Sequence, residues 1–115
     1  MRYYSLVSEL SISNWEKSRY FYCELLHLSE LYENRESGLH VLSNAWEDSQ
    51  IGIVRLVEKI SVEPVQQNVK LTICLGRTYQ YLPATLDKEK YPYHYDDDRR
   101  LCVYDPDGYY WGICD

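Results

Sequence analysis

A chain of 115 residues suits one domain rather than two, and at this length folding buries about two thirds of the surface that the unfolded form exposes. A net charge of -6 argues against nucleic acid as a partner, because phosphates demand clusters of lysine and arginine. No apolar run approaches the roughly 20 residues of a membrane helix, so no membrane partner is expected.

Neutral or cationic small molecules are the favoured partners of so acidic a chain. The N-terminal Met1-Arg2-Tyr3-Tyr4 has no signal-peptide core, which points to a cytoplasmic setting. Apolar content leans on 13 tyrosines against one phenylalanine and one methionine. Tyrosine carries apolar area with a hydrogen-bonding tip and suits half-buried walls and binding surfaces. The cysteines Cys23, Cys74, Cys102 and Cys114 form no Cys-x-x-Cys pair. Reduced, buried thiols are expected rather than a zinc cage.

In chain order, Ser5 to Ile12 ends with Leu10 and Ile12 alternating with polar neighbours and reads as a half-buried strand. Ser13-Asn14-Trp15-Glu16 has the form of a capping box, with Ser13 as the cap and Glu16 reaching back to it. Behind it Trp15, Arg19, Tyr22, Leu25 and Leu26 recur at helical spacing, widened by Phe21 and Leu28, which predicts one amphipathic helix over 14–26. Strands are predicted over Ser29 to Asn34, Leu39 to Leu42 and Ile51 to Val57, and a surface connector over Glu58 to Gln67.

A second pass then begins. Val69, Leu71 and Ile73 alternate with polar residues, giving another strand. Gly76 to Lys90 carries Tyr79, Leu82 and Leu86 at helical spacing, but Pro83 limits it to a short or broken helix. Tyr91 to Tyr95 is extended, and Asp96-Asp97-Asp98 reads as a solvated turn. Arg99 to Cys114 is the strongest local signal, two aromatic-rich runs flanking Asp105-Pro106-Asp107-Gly108, a hairpin with a bulge. Both halves run strand, helix, strands, as repeats of one unit would.

Asn14, the Phe21-Tyr22 pair and Leu25-Leu26-His27-Leu28 together resemble the N-terminal helix of the vicinal oxygen chelate superfamily. That superfamily includes glyoxalase I, extradiol dioxygenases, and the fosfomycin- and bleomycin-resistance proteins. Asp105-Pro106-Asp107-Gly108 followed by Tyr109 to Ile113 looks like its last hairpin. His27 stands where the family usually has glycine, and the second helix is shortened. The resemblance implies an α+β fold of two βαβββ modules, about 1–58 and 67–115. Together they form a curled mixed sheet, an incomplete barrel around a cleft, in a single domain over 1–115 and commonly in a homodimer.

Metal-using members take one His, Glu, Gln or Tyr from each of the first, fourth, fifth and eighth strands. Counted from Phe21 and Asp105, the first and last of these positions are Val7 and Gly112, while the fourth and fifth strands offer Gly52 and Asn68. Three of the four lack a donor side chain, and a divalent metal needs three or four ligands, so neither metal nor cofactor is expected.

The ligand-binding candidates are Glu9, His40, Asn68, Lys70, Cys102, Tyr104 and Tyr110. Glu9 shares the face of Val7 and would meet a cationic ligand group or Lys70. His40 offers an imidazole on a strand, either to the cleft or to the surface. Tyr104 and Tyr110 stack on a planar ligand if the bulged hairpin puts them, with Cys102 and Gly112, on one inward face. His94 with Asp96 and Asp98 is either a weak cation site or a solvated charge run, and His27 caps the helix C-terminus through the macrodipole.

The reading that follows is a metal-independent protein that binds a small aromatic or cationic molecule, similar to bleomycin-resistance proteins. The alternatives are a glyoxalase- or dioxygenase-type metalloenzyme with ligands relocated to His40, Glu9 and His94, and an interaction module whose cleft is filled by its own side chains.

Overall fold

The computed structural model describes residues 9–43, 53–59 and 70–115, and the chain divides into two compact units, Met1–Glu63 and Pro64–Asp115. Val7, Gly52 and Asn68 lie outside the described residues. Among the described residues no helix is long and apolar enough to cross a membrane.

The first unit opens with strand β1 (Leu10–Ile12), in which Leu10 and Ile12 are buried and Ser11 is not. Helix α1 (Trp15–Arg19) follows and runs on as a π-helical turn, Tyr20–Leu25. Asn14, one residue after the expected cap, is the N-cap; its side chain accepts from the Lys17 amide at 3.1 Å. Glu16 pairs instead with Arg19 at 3.6 Å, and the carboxylate that meets the helix start is that of Glu58, which accepts from the Trp15 amide at 2.7 Å. An acidic group is favourable there because the first-turn N–H groups have no partner within the helix.

The buried stripe of this helix is Ser18, Phe21, Tyr22, Leu25 and Leu26, with Ser18 in the place expected for Arg19. The periodicity admits either residue, and the guanidinium stays at the surface where it is hydrated. The Ser18 hydroxyl is buried with no hydrogen-bond partner among the described residues. Ser18→Ala is therefore expected to stabilise the protein by about 1 kcal/mol, since it removes an unsatisfied buried group. Thermal or urea unfolding checks this, and a lower melting temperature refutes it. Past the helix, His27 adopts a left-handed backbone (φ 62°) and the Leu28 amide donates to the Tyr22 carbonyl at 3.0 Å. His27 thus ends the helix through its backbone conformation, in the role glycine fills elsewhere.

Strands β2 (Ser29–Asn34), β3 (Leu39–Ser43) and β4 (Ile53–Glu58) complete a sheet of order β1-β4-β3-β2, with β1 parallel to β4 and the other pairs antiparallel. Leu42, Val54 and Leu56 supply its core.

The second unit repeats the plan. Strand β5 (Lys70–Cys74) leads into a 3₁₀ turn, Gly76–Tyr81, and then helix α2 (Leu82–Lys88). Pro83 sits in the first turn of α2, where its missing N–H costs nothing, so it starts the helix rather than breaking it. Strands β6 (His94–Tyr95), β7 (Leu101–Tyr104) and β8 (Tyr110–Cys114) give the order β5-β8-β7-β6, with β5 parallel to β8. One face, carrying Ile73, Leu101, Val103, Trp111 and Ile113, is buried together with Leu82 and Leu86 of α2.

The hairpin closes on Asp105, whose Oδ1 accepts from the amides of Asp107 (2.9 Å) and Tyr109 (2.8 Å), while Gly108 takes φ 95°. The expectation of four reduced thiols is corrected for two of them: Cys74 and Cys114 form a disulfide. The parallel register sets them directly opposite each other, with Cα atoms 4.4 Å apart. A pair 40 residues apart leaves no mark on local spacing.

Candidate functional site

Period two sorts the second sheet into two faces. The register pairs Lys70 with Tyr110, Thr72 with Gly112 and Cys74 with Cys114 across β5 and β8. On the other side of β8, Tyr104 opposes Tyr110 and Cys102 opposes Gly112, and His94 of β6 opposes Cys102. Lys70, His94, Cys102, Tyr104, Tyr110 and Gly112 therefore share the face away from Trp111. Four of the candidate residues, Lys70, Cys102, Tyr104 and Tyr110, come together here.

Rings form a row along this face. Tyr104, 54% exposed, lies 4.7 Å from Tyr110 at an interplanar angle of 35°. His94 also stacks on Tyr110, with centroids 5.7 Å apart and planes at 12°, and its Nε2 meets the Tyr110 hydroxyl at 2.8 Å. The Lys70 ammonium stands 5.6 Å from the Tyr110 ring centre, within cation–π range. A hydrogen bond with the Cys102 thiol, aided by burial, pushes the Tyr110 phenol up to about 12, so near neutral pH it keeps its proton. Tyr91 donates to the Tyr104 carbonyl at 2.6 Å and steadies the end of β7.

Asp96 anchors the polar side. Its Oδ1 accepts from the amides of Asp98 (2.9 Å) and Arg100 (2.8 Å), and its Oδ2 from the Lys70 ammonium at 2.5 Å, with the Cys102 thiol at 3.8 Å. The Lys70 hydrogen bond, helped by the Arg100 amide, holds the Asp96 carboxyl down at about 2, and the same bond raises Lys70 above its ordinary value.

To reach Asp96 the lysine chain crosses β8 over Gly112. A Cβ built on Gly112 would lie 2.7 Å from Lys70 Cε and 3.0 Å from Arg100 Cδ.

Asp96 is folded-state depressed from 3.8, so the stability it lends is present above about pH 4 and is lost as pH falls toward 2; Lys70 lends stability that persists until pH rises past its own raised value. Carboxyl NMR is expected to show Asp96 titrating near 2, and clearly higher in Lys70→Met, where only the Asp98 and Arg100 amides still hold it down. An unshifted titration in the variant refutes the pairing.

The sequence places Asp96 in a solvated turn, and His94 with it in either a weak cation site or a charge run. The Asp-x-Asp spacing was the available cue, since an aspartate whose side chain accepts from the amide two residues on organises a turn. The cation site of His94, Asp96 and Asp98 does not assemble, because His94 turns to Tyr110 and Asp96 to Lys70.

In the first unit, Glu9 is exposed just ahead of β1. His40 is buried on β3, stacked on Trp15 at 3.6 Å and 8°, with Nδ1 2.8 Å from Glu30 Oε2. It is a satisfied interior histidine rather than a surface one. Strand β4 separates β1, which Glu9 precedes, from β3, which carries His40, and strands so placed lie roughly 10 Å apart. His94 belongs to the other unit.

His40 instead meets Glu30 and Glu33, the three ligand atoms lying within 4.8 Å of one another. Three residues apart in a regular strand, these glutamates would face opposite ways. A register shift between Glu30 and Tyr32 puts Glu30 opposite Leu42 and Glu33 opposite His40, on one face. Because β2 is the edge strand, charges turned to this side also discourage pairing with another sheet. Among the remaining thiols, burial chiefly pushes Cys23 up to about 11, and Cys102 is fully buried.

No family profile and no curated protein matches the sequence. Solved structures do match its fold. A glyoxalase/bleomycin resistance protein from Streptomyces sp. CB03234 aligns at TM-score 0.67 with 18% identity, over 93% of this chain and 96% of that one. A glyoxalase/dioxygenase from Nostoc punctiforme aligns at 0.66 with 20% identity, over 93% and 87%. An integron cassette protein from the Halifax Harbour sewage-outfall metagenome aligns at 0.68 with 20% identity, over 91% of each chain. At such identities the likeness is one of fold, and fold leaves the chemistry to the site.

Proposed function

Starting from a chain with the fold of the vicinal oxygen chelate superfamily, we propose that it binds a small planar molecule, aromatic and neutral or cationic, without a metal. The observation that carries this reading is the ring row Tyr104–Tyr110–His94 beside Lys70 on one open face. Stacking on Tyr104 would supply apolar contact, and the Tyr104 phenol and the His94 imidazole would supply hydrogen bonds. Metal independence is supported at Gly112, the one described position of the four carried over from the metal-using members. It has no donor, and the Lys70 and Arg100 side chains occupy the space over it. Gly112 itself does not fit the shared metal centre.

Isothermal calorimetry with 1-naphthol and 2-naphthylmethylamine tests the reading. Measurable binding is expected, weakened about tenfold by Tyr104→Ala and by Tyr110→Ala. Absence of heat with every aromatic compound tried overturns it. A cytoplasmic homodimer is the setting we assign, with light scattering as the check on its assembly.

A metalloenzyme with relocated ligands has one observation in its favour, the Glu30–Glu33–His40 cluster. Stoichiometric zinc, nickel, iron or manganese in purified protein, lost in Glu33→Gln, would establish that reading instead.

A further inference from the structure

We infer that the Cys74–Cys114 disulfide is a redox latch on the ring-lined face of the second unit. The inference rests on the reading of that face as a binding site and assigns its regulation.

Placement comes first. Among the described residues, strand β5 is the edge of its sheet, paired through five residues to β8 alone. Parallel edge pairing of this length is weak and opens locally with little cost. The disulfide joins the last pair of that ladder, and Lys70 belongs to the first, on the same face. Lys70 reaches Asp96 only because β5 holds it level with Tyr110 and lets its chain cross Gly112. A covalent tie at Cys74 therefore fixes the strand that presents the site's ammonium.

Access comes second. Cys74 and Cys114 are both half-exposed, whereas Cys102 is fully buried. In the cytoplasmic setting assigned above, a disulfide is more often a redox-sensing bond than a permanent brace.

The chemistry is ordinary thiol–disulfide exchange with a dithiol reductant. A thiolate of the dithiol attacks one sulfur of the pair, the S–S bond breaks, and the other sulfur leaves as a thiolate that takes a proton. The second thiol of the reductant then resolves the mixed disulfide, releasing the remaining cysteine as a thiol. The protein gains two electrons and two protons, and the dithiol becomes a disulfide. With the tie gone, β5 is held by its ladder alone, and Lys70 leaves Asp96 and the Tyr110 ring.

The test uses the full chain, oxidised and then reduced with dithiothreitol, beside the Cys74→Ala/Cys114→Ala variant. Amide exchange over 70–74 is expected to rise at least about tenfold in the reduced protein and the variant, with 101–104 unchanged. The Asp96 titration should move up from about 2 toward its ordinary value, and affinity for 1-naphthol should fall about fivefold or more.

Unchanged exchange over 70–74 overturns the latch. So does a uniform rise that includes 101–104, which marks a brace for the whole unit, and so does equal affinity of both forms for 1-naphthol, which leaves the binding reading standing. Binding by neither form, nor any other aromatic compound, removes the binding reading and the latch together.

Discussion

Gly112→Val is expected to abolish most ligand binding while leaving the fold intact. The nearest atoms to a side chain at this position are Lys70 Cε at 2.7 Å, Arg100 Cδ at 3.0 Å and Lys70 Nζ at 3.6 Å. All three belong to long flexible side chains that swing into solvent, so the backbone has no need to move. Valine also favours a strand, which offsets part of the crowding. Stability should change by no more than about 1 kcal/mol. The site does not escape so lightly, because the isopropyl group occupies the path along which Lys70 reaches Asp96.

Affinity for 1-naphthol is expected to fall at least about tenfold, equivalent to about 1.4 kcal/mol. The Asp96 carboxyl should also titrate well above 2 once its ammonium partner is gone. Wild-type affinity in Gly112→Val would refute the role given to the Lys70 crossing.

Trp111→Ala, one residue away, is expected to do the reverse. Trp111 is fully buried and heads the large side chains of the core. Removing an indole from such a place typically costs about 3–5 kcal/mol, because the neighbours only partly close the cavity. Against a total stability of roughly 5–15 kcal/mol, that is a large share. The urea midpoint should fall by about 2 M with little change in slope. What folded protein remains in dilute buffer should keep the Asp96 titration near 2, since Trp111 faces away from Lys70. Equal destabilisation by Gly112→Val and Trp111→Ala would show that the two faces of β8 are not separated as the register states.

The pairing of Cys102 and Tyr104 with Gly112 and Tyr110 follows from short-range rules. Alternation places every second residue on one face, and Asp105-Pro106-Asp107-Gly108 sets where the chain returns. The shared face of Cys102, Tyr104, Tyr110 and Gly112 is therefore legible in the sequence, whereas the stacking of His94 on Tyr110 is not. The order of strands and helices in each unit was legible for the same reason, since hydrophobic period and turn chemistry act within a few residues.

Partners distant in the chain were not legible. Glu58 takes the role assigned to Glu16 at the helix start because β4 runs parallel to β1 and ends beside Trp15. A bulge in β2 turns Glu30 and Glu33 to one side, so alternation misleads there, and His40 becomes an interior residue by stacking on Trp15.

Composition and periodicity by themselves determined which segments become strands and helices, and which face of each is apolar, because these depend on energies summed over neighbours in the chain. Only the tertiary structure decided that Cys74 bonds Cys114, that Lys70 spans β8 to Asp96, and that Glu58 meets α1. Such contacts depend on sheet order and register, and these are set by the packing of whole faces.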